Sequence, residues 1–133
     1  MFLEKAGRDV WLDLQIGRLA LQRAESQATK NLAQKMVDDG DRENQELMDI
    51  AQRKGLTLSP ADERAIESHP LSQTTGPAFD RVFADVVKAT LAREAAAFEI
   101  ASNRATDLDV KNWAAKWLPN IQDHLQDAQT LPE

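Results

Sequence analysis

Apolar residues recur every three or four positions along most of this chain, and that period predicts amphipathic helices. Leu3, Ala6, Val10, Leu14, Gly17, Leu21 and Ala24 form one stripe, widened by Ile16, Leu19 and Ala20. They predict a first helix over residues 2–24. Leu32, Ala33, Met36, Val37, Leu47, Met48 and Ala51 predict a second over 27–54, with Ser26 as N-cap and Gly55 as the residue that ends it. Phe79, Val82, Phe83, Val86, Val87, Leu91, Ala95, Phe98 and Ala101 predict a third over 78–103. Thr106, Asp107 and Asp109 suit the positive start of a fourth, whose stripe is Val110, Trp113, Ala114, Trp117, Leu118, Ile121, His124, Leu125 and Ala128. Pro119 lies inside that run and predicts a kink near Lys116.

Four such segments in one chain of 133 residues make a single all-α domain over 1–133, a four-helix bundle. The 1–2 and 3–4 connections are short, so each pair is an antiparallel hairpin. The 2–3 connection holds about twenty residues. It is compatible with an up-down-up-down order or with one long crossover. Ser59, Pro60, Asp62 and Glu63 predict a short extra helix there, ending near Ser68, before His69-Pro70.

The second stripe is interrupted. Gly40 stands where a core side chain is due, with Asn44 following, and a glycine inside a helix costs about 1 kcal/mol relative to alanine. Gly17 on the first stripe predicts close approach of a neighbouring helix. A shift of 51 residues aligns Arg42-Glu43 with Arg93-Glu94, and Gly40 with Leu91. If the second and third helices are equivalent, Leu91 fills the space beside Gly40 and the core closes by plain packing.

The remaining composition narrows function. Net charge is −6 and no Lys/Arg cluster occurs, so nucleic acid is not an expected partner. With no cysteine there is no thiolate catalysis and no zinc–cysteine site. No apolar run approaches a membrane span, and the opening Met1-Phe2-Leu3-Glu4-Lys5 is already amphipathic rather than leader-like. Two histidines, with serines placed at caps and in loops, form no nucleophile–base set, and there is no glycine-rich phosphate loop. No catalytic residue is assigned, and enzymatic activity would have to be metal-based.

The order and spacing of several segments resemble the exported, ferritin-like bundles of the domain of unknown function 4142 family. These are Phe2-Leu3-Glu4-Lys5-Ala6, Ile16-Gly17-Arg18-Leu19-Ala20, Gln34-Lys35-Met36-Val37-Asp38-Asp39, Lys54-Gly55-Leu56-Thr57-Leu58 and Trp117-Leu118-Pro119-Asn120-Ile121-Gln122-Asp123-His124-Leu125. The resemblance implies a periplasmic or exported setting, with a cytoplasmic one as the alternative for a chain that opens without a leader, a stress-response, binding or structural role, and a polar core site. That site would comprise an acid on the first helix, Asp-His pairs on the second and third, and a histidine on the fourth. Asp13 and His124 match the outer two. The second-helix pair is Asp39-Gly40 and the third-helix pair is Thr90-Leu91, so both of those imidazoles are gone.

Two readings follow. In the first, the bundle is non-enzymatic, its core metal site is degenerate and it holds no cofactor. In the second, it binds iron, manganese or zinc for storage or redox work through Asp13, Glu43, Glu94 and His124, the glutamates replacing the lost histidines. In the first, His124 is a neutral core histidine bonded to a first-helix group such as Asp13, and Asp38, Asp39, Asp41, Glu43 and Glu46 form a solvated acidic face. His69 is expected to be exposed and inert. Trp113 and Trp117 read as core, with an aromatic ridge for a protein partner as the rival, and Trp11 suits the crossover or a homodimer contact.

Overall fold

The computed structural model describes residues 2–58 and 65–132. Its helices are α1 (Phe2–Arg23), α2 (Gln27–Arg53), α3 (Gly76–Arg104) and α4 (Leu108–Gln129), with one 3-10 turn at Pro70–Gln73. Among the described residues there is no strand, and no helix is long and apolar enough to cross a membrane. The short helix expected from Ser59 falls largely outside the described residues.

The helix ends follow the local chemistry. Ser26 caps α2 by accepting the Thr29 N–H at 3.3 Å, and Asp107 caps α4 by accepting the Val110 N–H at 3.1 Å. Gly55 ends α2 with φ +67°, a conformation that costs a side-chain-bearing residue energy. Helix α4 runs on through Pro119. Both Pro119 and Ala115, whose carbonyl loses its partner there, lie on the exposed side, where water can serve instead.

Most packing is within the hairpins, α1 on α2 and α3 on α4, while α2–α4 and α1–α3 form thinner seams. Asp80, at the start of α3, accepts the backbone N–H groups of Glu25 and Ser26 at 3.0 and 2.8 Å. Arg23 donates to the carbonyls of Ser72 and Thr74 at 2.8 and 3.2 Å. At the opposite end Lys54 pairs with Asp107 and Asp109. Helix α3 therefore starts beside the α1–α2 turn, and the order is up-down-down-up. Helix α2 thus ends at the opposite end of the bundle from the start of α3, which selects the crossover over the simple meander.

The core is filled by Leu14, Ile16, Leu32, Leu47, Leu71, Phe79, Phe83 and Val87, all at most 2% exposed. Phe2, Phe98 and Trp113 form an edge-packed aromatic cluster at one end. Gly17 meets its expectation: a Cβ there would lie 2.9 Å from Val37 Cγ2 and 3.3 Å from the Ala33 carbonyl oxygen. His69 does not: it is half-buried, and its Nδ1 accepts the Leu71 N–H at 3.1 Å, capping the 3-10 turn.

Candidate metal and proton site in the bundle core

Midway along the bundle, all four helices contribute to one cavity of about 20 Å³. Its polar lining is Asp13 from α1, Asp39 and Glu43 from α2, Glu94 from α3, and Asn120 and His124 from α4. The four residues picked out as a metal set thus lie around a single space, together with Asp39, which the set omitted. The volume suits one water-sized guest. Plain closure of the core by apolar packing is not what the structure shows.

The apolar neighbours explain Gly40. A Cβ on Gly40 would lie 2.9 Å from Leu14 Cδ2 and 3.0 Å from Leu14 Cγ. Leu14 of α1, rather than Leu91, occupies the place of the missing side chain. Leu91 lines the same cavity from α3. The close approach comes from the α1–α2 hairpin, which a repeat between α2 and α3 does not reveal.

Glu43 and Glu94 are buried, at 9% and 5% exposure. No lysine or arginine lines the cavity. Glu43 Oε2 and Glu94 Oε1 have no hydrogen-bond partner. Burial without a cation disfavours the ionised carboxylate. It pushes Glu43 up to about 8, helped by the nearby Glu94 and Asp39 charges. It pushes Asp13 up to about 7 and Glu94 well above the usual carboxylate range. Asp13 and Glu94 also act on each other, which lowers Asp13 in part and raises Glu94 further.

His124 bonds to Asp39 on α2, with Nε2 and Oδ2 2.8 Å apart, and not to Asp13 as the sequence suggested. Burial alone would raise Asp39, but hydrogen bonds from Arg42 and His124 outweigh it and hold the carboxyl below its usual range. Asp39 is therefore an acceptor at neutral pH. With Asp39 ionised, His124 donates to it from Nε2. The acidic run on α2 is split by its helical period. Asp38 and Asp41 face solvent, Asp39 and Glu43 turn inward, and Glu46 accepts Lys116 Nζ at 2.6 Å and Trp117 Nε1 at 2.9 Å. Trp113 and Trp117 are both core residues at 4% exposure, and Trp11 is part-buried.

Among the described residues, no three His, Asp or Glu side chains converge closely enough to hold a metal ion as they stand.

Residues 1–131 match the family described as Domain of unknown function (DUF4142). The chain belongs to that family. No curated protein matches its sequence. Among solved structures it is similar to CopM in the Cu(I)-bound form, with a TM-score of 0.82 and 18% identity over 96% of this chain and 90% of that one. It is also similar to CopM in the Ag-bound form obtained by soaking, with a TM-score of 0.76 and 18% identity over 96% and 89% of the two chains. At that identity the likeness establishes the shared all-α four-helix fold.

Proposed function

We propose that this domain is a non-enzymatic binding module whose core takes up one small divalent cation through Asp13, Glu43, Glu94 and His124. The observation that carries the reading is the pair of buried, partnerless carboxyl oxygens on Glu43 and Glu94, facing a cavity with no cationic side chain. An unpaired buried carboxyl is costly unless it is protonated or neutralised. A cation would do the latter. The Asp39–His124 hydrogen bond supports it further, because metal-bound imidazoles commonly donate their other ring N–H to a carboxylate.

The donor chemistry favours some ions over others. CopM is seen with Cu(I) and Ag, both soft ions. This cavity offers one thioether, Met36, and one imidazole beside its carboxyls. Oxygen-rich sites with one imidazole suit manganese, iron or zinc. The family resemblance supports an exported, periplasmic setting, which fractionation of the source cells would check.

The test uses chelator-stripped protein incubated separately with Mn²⁺, Zn²⁺ and Ag⁺, then desalted and analysed for metal. About one Mn²⁺ or Zn²⁺ per chain is expected to remain, against less Ag⁺. His124→Ala and Glu94→Gln, shown folded by circular dichroism, should lose it. Retention well below one ion per chain in the parent protein would overturn the reading. The rival is an inert bundle with a degenerate site, and the failure of three ligands to converge favours it. It predicts no retained ion and no effect of either substitution.

A further inference from the structure

The core site has an asymmetric surround. From solvent inward on the α2–α4 seam, the order is Arg42, Asp39, His124 and the cavity. Arg42 has a side chain 69% exposed, and its Nη2 donates to Asp39 Oδ1 at 2.7 Å. Its guanidinium carbon lies 6.0 Å from the centroid of the Trp117 ring. Asp39 is 19% exposed, and its other oxygen holds His124, which is 9% exposed. Asp39 is thus the one cavity-lining acid that touches both a surface cation and an inner donor. Of the twelve residues around the cavity, eight belong to α2 and α4, so this seam contributes most of its wall.

We infer that a cation reaches the core between α2 and α4 by way of Asp39, and that Arg42 is the positioning residue that bars this entrance. The inference rests on the function proposed above and adds the route and its control. Arg42 does so in two ways. Its positive charge repels an arriving cation at the mouth, and its hydrogen bond occupies the carboxylate oxygen that would meet that cation first. An exposed ion pair of this kind contributes little to stability and opens readily, so it slows entry without sealing the site. The opposite seam has its own acid and base, Asp9 and the exposed Arg93, acting on Asp13 from outside. That side provides the control.

Stopped-flow tryptophan fluorescence on the full chain, with Zn²⁺ as the probe, tests this. Arg42→Gln should bind the same number of ions as the parent but associate about three- to tenfold faster at low salt. The gain should shrink at high salt, and Arg42→Lys should restore the slow rate in part. Arg93→Gln should leave the rate unchanged. A purely structural role for Arg42 would not give a salt-dependent on-rate with unchanged stoichiometry. Equal rates for Arg42→Gln and the parent, with the ion still retained at equilibrium, overturn the entrance while leaving the site intact. A faster rate in Arg93→Gln instead places entry on the α1–α3 seam and also overturns it. No ion retained by the parent protein removes the site and its entrance together.

Discussion

Replacing Glu43 by glutamine keeps the size of the side chain and removes its ionisation, and the effect should depend strongly on pH. In the folded chain burial holds this carboxyl near 8, against 4.5 when solvated. The unfolded chain therefore gives up the proton first as pH rises. Whatever stability the protonated carboxyl confers is complete below about 4.5 and drains away as pH climbs towards about 8. At 1.36 kcal/mol per pH unit the loss is ~3 kcal/mol at pH 7 and ~4 kcal/mol at pH 8. The charges acting on Glu43 are Asp39 and Glu46 from its own helix and Glu94 from α3, and Glu43 in turn acts on Asp13 of α1. Glutamine cannot ionise, so Glu43→Gln should match the parent at pH 4. It should exceed the parent by ~2–4 kcal/mol at pH 8, a large share of a small domain's total stability. Urea unfolding in EDTA at one-unit pH steps measures this directly. Parallel stability profiles from pH 5 to 8, or a less stable variant at pH 8, would refute the account of the core.

Gly40→Ala gains helix propensity but puts a methyl 2.9 Å from Leu14 Cδ2 and 3.0 Å from its Cγ, so that this leucine, 1% exposed, has to shift; we expect a net loss of ~1–2 kcal/mol by urea unfolding. Combining it with Leu14→Ala should cost less than the two losses added, because the cavity receives the methyl. Asp80→Ala removes the acceptor for the Glu25 and Ser26 N–H groups and should lower stability by ~1–2 kcal/mol, read from the thermal midpoint. Retained Mn²⁺ should rise between pH 6 and 8 in equilibrium dialysis, because Asp13 and Glu43, held near 7 and 8, must shed protons to coordinate it.

The helices were legible because each carries a long stripe and most have explicit ends, such as Ser26, Asp107 and Gly55. Inward placement of Glu43 was also readable in principle. Met36, Gly40, Glu43 and Leu47 are spaced four, three and four residues apart, one face of a helix, although the neighbouring acids read as a solvated run. The sequence could not pair residues across helices. Nothing local distinguishes Leu14 from Leu91 as the neighbour of Gly40, or Asp39 from Asp13 as the partner of His124. Those choices depend on the direction of α3, which was open until Asp80 and Arg23 fixed its start beside the α1–α2 turn.

The thin seam between two tightly packed hairpins bears on how the chain folds. Each hairpin closes through a three-residue turn and can assemble from contacts near in sequence, which form quickly. Only when the halves meet do acids from both enter the same buried space. Their embrace is consequently the late step, and alkalinity should slow that step while leaving the formation of each half untouched.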